Sequence, residues 1–230
     1  MRSYSASMCQ AKVLQVKPTR LAPWAIWMIA GCLHPAILPG AVTAISYVQG
    51  NSATPQSSHT SVAVTFTAAQ VAGDLNVIVV GWNDSTATVT SVTDKSGNAY
   101  TLAVGPTVQS GTASQSIYYA KNIAAAAAGV NVVTVTFSSA AAYPDIRILE
   151  YSGADPTNPV DVTAASSGSS ATSSSGAVTT TNATDLLFGA NLVQTTTAGA
   201  GTGFTSRLLT TPDVTKVYRD SGYSIYRLGE

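Results

Sequence analysis

Apolar residues recur at every second position in Ser61-Val62-Ala63-Val64-Thr65-Phe66, which places Val62, Val64 and Phe66 on one face of an extended strand. A helix would scatter the same three around its circumference. Leu75-Asn76-Val77-Ile78-Val79-Val80-Gly81-Trp82 is apolar almost throughout, the pattern of a central strand covered on both sides. Further strands are expected at 88–93, 99–104, 114–122, 130–137 and 146–151, each bounded by Gly, Pro, Asn or Asp, with Val133, Val135 and Phe137 as another inward row. The stretch 185–193 repeats the pattern, with Leu186, Phe188, Ala190 and Leu192 on one face. Two short candidates, 216–219 and 223–228, close the chain.

Between these runs the punctuation is that of an all-β chain, with strands at intervals of roughly 8 to 14 residues. Asp94-Lys95-Ser96-Gly97-Asn98 has the composition of a hairpin loop, since Gly97 and Asn98 tolerate positive φ. The one expected helix is a single turn at 123–128, where five alanines precede Gly129. Residues 166–176, nearly all Ser, Gly, Ala and Thr, read as a flexible loop or weak edge strand, and 195–203 as a loop. The fold expected is a two-sheet antiparallel β-sandwich.

The first 44 residues differ from the rest. Arg2, Lys12, Lys17 and Arg20 precede an uncharged stretch, 21–33, that is too short to span a bilayer and matches a secretory h-region. Pro35 and Pro39 follow, then Val42-Thr43-Ala44, whose small residues suit a signal peptidase. Residues 1–44 therefore read as a signal peptide and 45–230 as a single sandwich domain, secreted or held at the cell surface. In an alternative reading, Ile29-Ala30-Gly31-Cys32 is a lipobox, the signal ends before Cys32 and the chain is lipid-anchored through it. On either cut Cys9 is lost, so no disulfide forms within the body, and the mature chain has no transmembrane span. Residues 45–230 carry seven basic and eleven acidic side chains, a net charge of −4 with the basic residues scattered. That excludes the concentrated basic face nucleic acid requires.

Val89-Thr90-Ser91-Val92-Thr93-Asp94, Gly97-Asn98-Ala99-Tyr100, Tyr118-Tyr119-Ala120-Lys121-Asn122-Ile123 and Ile148-Leu149-Glu150-Tyr151-Ser152-Gly153 resemble segments of a largely uncharacterised family of secreted bacterial β-sandwich modules. The resemblance runs from about Ile45 to Arg207. It implies a jelly-roll or lectin-like sandwich with a binding or surface role, and carries over no catalytic residue. Related sequences continue beyond this point into an apolar closing strand without counterpart here, so a neighbouring strand is expected to be left unpaired and open to strand-mediated self-association.

Candidate chemistry is sparse. His59 is the one histidine after Ala44, it lies in a polar loop, and no Gly-x-Ser-x-Gly elbow or zinc-binding pattern accompanies it. Glu150 shares strand parity with Ile146 and Ile148, while Arg147, Leu149 and Tyr151 point the other way. A glycosidase would need a second acid opposite it, for which Asp145 and Asp161 are the candidates. Asp94 with Asn98, or Asp155 with Asp161, offer oxygens to a structural calcium ion, the only cofactor the sequence suggests. Trp82, at the end of the most apolar strand and just before Asn83 and Asp84, is either a sugar-stacking ring or a core residue, and Tyr118, Tyr119 and Tyr143 divide in the same way. The expected function is a non-enzymatic binding or adhesion module for a glycan or cell-surface polymer, with Trp82, Asn83, Asp84, Tyr119 and Glu150 as ligand-binding candidates. A glycoside hydrolase or polysaccharide lyase on the same fold, and a subunit of a surface appendage completed by a neighbour's strand, are the alternatives.

Overall fold

The computed structural model describes residues 8–19, 44–170, 172–182, 184–193, 204–209 and 222–228, with backbone alone for 8–13, 15 and 222–228. Among these residues there is no helix, and therefore none long and apolar enough to cross a membrane. The strands are β1 (Met8–Val16), β2 (Ser46–Ala53), β3 (His59–Thr65), β4 (Leu75–Trp82), β5 (Val89–Asp94), β6 (Thr101–Gln109), β7 (Ala113–Ala120), β8 (Val132–Ala141), β9 (Asp145–Ser152), β10 (Val160–Ser169), β11 (Leu186–Val193), β12 (Phe204–Leu209) and β13 (Gly222–Leu228). They form three antiparallel sheets: sheet I in the order β10-β1-β11-β13-β12, sheet II in the order β2-β9-β4-β7-β6, and sheet III in the order β3-β8-β5.

The hydrophobic pattern explains the stacking. Every residue of β4 is buried. Leu75, Val77 and Val79 face a core shared with Leu149, Tyr151, Phe188 and Leu192, between sheets I and II. Ile78, Val80 and Trp82 face a second core, where Val62, Val64 and Phe66 meet Val133, Val135 and Phe137, between sheets II and III. The expected sandwich is thus present as sheets II and III, and sheet I covers the remaining face of sheet II. The continuous apolar run of β4 is what a middle layer requires, whereas β3 and β8 keep strict alternation because their other face meets water. Edge-on aromatic contacts lock both cores, Trp82 on Phe137 at 5.5 Å and Tyr151 between Tyr47 at 5.8 Å and Phe188 at 6.1 Å.

Four features depart from the sequence reading. Met8–Val16, assigned there to the leader, is a strand paired with β10 on one side and β11 on the other, and Leu14 and Val16 are fully buried. A chain cut after Ala44 would lose the middle of that three-strand run. The h-region at 21–33 and Cys32 lie outside the described residues, as do the 216–219 strand candidate and the 195–203 loop. Residues 94–98 do form a turn, with Gly97 at φ 74°, but β5 belongs to sheet III and β6 to sheet II, so the turn carries the chain between sheets and is no hairpin. The helix expected at 123–128 is absent. Ala126 instead exchanges two backbone hydrogen bonds with Gln70, at 2.9 and 3.2 Å, and Ile123 is buried with its N–H on the Asp74 carbonyl. One helical turn cannot recover its nucleation cost against such bonds. β2, with polar Gln49, Asn51 and Ser52, offered no apolar alternation to read.

Candidate functional site

The two ends of β4 carry two polar constellations of different kinds. At its C-terminal end, Trp82 is 1% exposed, its indole N–H donating to the Ala87 carbonyl at 3.1 Å and its ring lying edge-on to Phe137. It is a core residue, with no face free for a sugar. Immediately beyond it, the Asp84 carboxylate gathers the loops. Oδ1 accepts from the N–H of Thr86 (2.9 Å) and Ala87 (2.7 Å) and from the Thr86 hydroxyl (3.2 Å), and Oδ2 accepts from the N–H of Ala142 (2.8 Å). Burial pushes this carboxyl up, but the N–H donors of Ala142, Ala87 and Thr86 outweigh burial and hold it below the usual carboxylate range. The Asn83 N–H meets the Ala142 carbonyl at 2.7 Å, the Ser114 hydroxyl meets the Asp84 carbonyl at 2.8 Å, and Ser85 Oγ accepts from the Gly111 N–H at 3.0 Å. Three loops are thereby fastened into one platform.

Tyr143 stands on that platform. It is 38% exposed and sits in the left-handed region at φ 44°, immediately before Pro144. Both features are unfavourable for a residue with a Cβ, and the backbone holds them because Ala142 is clamped at both its N–H and its carbonyl. Beside it, Asn83 Oδ1 is buried with no hydrogen-bond partner among the described residues.

At the N-terminal end of β4 the polar groups turn inward. Glu150 is 0% exposed and faces sheet III, as its parity with Ile146 and Ile148 requires. Its carboxylate accepts from Gln49 Nε2 at 2.6 Å and from the Val71 N–H at 3.3 Å. Asp74 hydrogen-bonds it as well. Burial, then the charge and hydrogen bond of Glu150, push the Asp74 carboxyl up to about 6. Next to them runs a closed ring. Gln70 donates to Asn76 (2.9 Å), Asn76 to Tyr100 (3.2 Å) and Tyr100 to Asp94 (2.9 Å), while Asn131 donates to Asp94 (3.1 Å) and to Gln70 (2.6 Å). Burial and the neighbouring Asp94 push the Tyr100 phenol well up, which keeps it a donor.

The two acids proposed to accompany Glu150 are elsewhere. Asp145 grips Arg147 through two hydrogen bonds, 3.0 and 2.9 Å, on the opposite face of sheet II. Asp161 lies in sheet I against Lys17 at 3.3 Å, its carboxyl held down to about 2 by the Thr181 hydroxyl and N–H. The acid that does meet Glu150 is Asp74, at hydrogen-bond contact. Glycosidase carboxyl pairs stand about 5 to 9.5 Å apart around a sugar. Asp94 Oδ1 accepts from the Asn98 N–H and Oδ2 from Asn98 Nδ2, Tyr100 and Asn131, so its oxygens already serve four donors. Asp155 caps the N–H groups of Thr157 and Asn158. Among the described residues no group of three or more His, Cys, Asp or Glu is arranged to hold a metal ion. Tyr119 is half-buried in β7 against the first core, and the His59 ring nitrogen lies 3.0 Å from the Ser57 hydroxyl.

Of the sequence candidates, the structure therefore brings together Asn83, Asp84 and Tyr143, and leaves Trp82, Tyr119, Glu150, Asp94 and Asn98 in structural surroundings. The signal for Tyr143 was present as an aromatic before proline in a loop, but its backbone conformation was not. Comparison with protein-family models, with curated proteins and with solved structures finds no match for this chain.

Proposed function

We propose that this chain is an exported, non-enzymatic binding or adhesion module, and that it takes a carbohydrate on the Asp84 platform with Tyr143 as the stacking ring. The observation that carries this reading is the exposed Tyr143 held at φ 44° by a loop whose neighbours are clamped by Asp84. Strain of this kind persists only where the surroundings overdetermine it, and a rigid aromatic loses little entropy when a flat ring lands on it. The Ser85 and Thr86 hydroxyls belong to the loop that Asp84 fastens and are the polar groups proposed to meet the sugar. The basic-then-apolar composition of residues 2–33 supports export with Met8–Val16 retained as a strand of the folded chain, and an adhesive role is consistent with the acidic body.

The test is titration of the purified full chain against a panel of soluble polysaccharides by affinity electrophoresis. At least one glycan is expected to retard it, and Tyr143→Ala is expected to weaken that retardation about tenfold or more with the unfolding midpoint unchanged. Equal binding by Tyr143→Ala would sink the assignment of the site. A hydrolytic activity abolished by Glu150→Gln would sink the non-enzymatic reading.

A further inference from the structure

We propose that the slot between β10 and β11 is a strand-exchange site whose second occupant is β1 of another copy of this chain. The slot is remote from the Tyr143 platform and the inference is independent of the binding function.

β1 pairs antiparallel along its length with both neighbours, from Met8 opposite Ser169 to Val16 opposite Val160, and from Cys9 opposite Val193 to Val16 opposite Leu186. With β1 withdrawn, β10 and β11 would stand about 10 Å apart, two strand spacings, each presenting a full row of unpaired N–H and C=O groups. Such a pair of edges has one good solution, an extended segment laid between them. The anchors are specific. Leu14 and Val16 are fully buried in the core between sheets I and II. The Lys17 N–H reaches the Pro159 carbonyl at 2.6 Å, the Lys17 carbonyl accepts from Asp155 at 2.8 Å, and Thr19 bonds the Gly153 and Ala154 carbonyls at 2.7 and 2.6 Å. Lys17 Nζ lies 3.3 Å from Asp161, whose side chain is almost wholly buried.

All of the hydrogen-bond and ion-pair partners lie between residues 153 and 193, and the core that takes Leu14 and Val16 also lies wholly outside the first 44 residues. The next strand in sequence, β2, belongs to a different sheet, and the covalent link to it is residues 20–43, a length that can reach on the order of 80 Å when extended. The slot therefore makes identical contacts with β1 of its own chain and with β1 of a neighbour, and concentration alone selects between them. Reciprocal exchange closes as a two-fold dimer in which the facing edges of both slots are paired.

The experiment uses two full-length versions of the chain with different affinity tags, unfolded together in urea and refolded at high and at about hundredfold lower concentration. Mixed dimers are expected at the high concentration and monomers at the low one. A synthetic peptide of residues 8–19, added in excess during refolding, is expected to divert the chains to monomers that retain the peptide. The same peptide carrying Leu14→Asp and Val16→Asp should be retained about tenfold less or worse, because a charge would enter the core. Since those substitutions sit in the peptide, the chain itself remains wild type. Monomers at every concentration with no peptide retained, or dimers that the peptide does not disperse, would overturn the proposal.

Discussion

The two ends of β4 use carboxylates in opposite ways. At the N-terminal end Asp94, Glu150 and Asp74 spend their oxygens on donors inside the fold, Tyr100, Asn131, Gln49 and each other, so the network closes on itself. At the C-terminal end Asp84 spends its oxygens mainly on loop N–H groups, which fixes the backbone beside the exposed Tyr143. A buried network that satisfies its own members stiffens a core and has little left for a ligand. A carboxylate that binds backbone instead builds a scaffold for whatever the loop displays. The chemically richer end, with its paired acids, is thus the structural one, and the plainer end carries the candidate site.

The largest effect should come from breaking the closed ring. Asp94→Ala removes the acceptor for Tyr100, for Asn131 and for both Asn98 donors, and is expected to lower stability by about 3 kcal/mol, read from urea unfolding. Asp84→Ala removes bonds from partly exposed donors, and about 2 kcal/mol is expected, together with loss of glycan retardation. If Asp94→Ala were the one to abolish retardation while Asp84→Ala did not, the roles of the two ends would be reversed.

Much of this arrangement was legible in the sequence, for identifiable reasons. The parity rows Val62, Val64, Phe66 and Val133, Val135, Phe137 are inward as read, because alternation is a local property that one buried face enforces. The two-sided burial of β4 was equally readable, but not what covers its second face, since that requires knowing that Leu14 and Val16 return to residues more than 140 positions away. The basic-then-apolar composition of the first 44 residues also masked a strand, because a leader and a buried strand draw on the same apolar residues. Glu150 stands out in the sequence as the one glutamate before Glu230, but its partner does not. Asp74 lies 76 positions earlier after a glycine, and no spacing rule joins them.

The carboxyl pair gives the comparison a pH signature. Asp74 is raised to about 6 in the folded chain from 3.8, so the folded state binds more protons than the unfolded one between those values. Stability should therefore rise as pH falls from above 6 toward 4, by about 1 kcal/mol after screening by water. Asp185, raised by burial and by Asp161, acts in the same direction. Asp84, held low, acts oppositely: its contribution is fully present above 4 and is lost as pH falls further. Urea midpoints across pH 3 to 8 should peak near 4. Asp74→Asn should flatten the arm between 4 and 6 and leave the fall below 4 intact, and a mutant profile that keeps both arms would mean that the Asp74 carboxyl is not the group that takes up the proton.

The smallest effect is also the most discriminating. Glycine adopts positive φ without steric cost, so Tyr143→Gly relieves the strain at φ 44° while adding chain entropy to the unfolded state. If Tyr143 is held there for display, its exposed ring contributes little packing, and the two backbone effects leave a net gain of about 0.5 kcal/mol. Tyr143→Ala keeps the strain and should be neutral. Both substitutions should weaken glycan retardation alike, by about tenfold or more. A loss of more than about 1 kcal/mol in Tyr143→Gly would mean instead that the ring is part of the fold, and the C-terminal end of β4 would then be as inward-looking as the other.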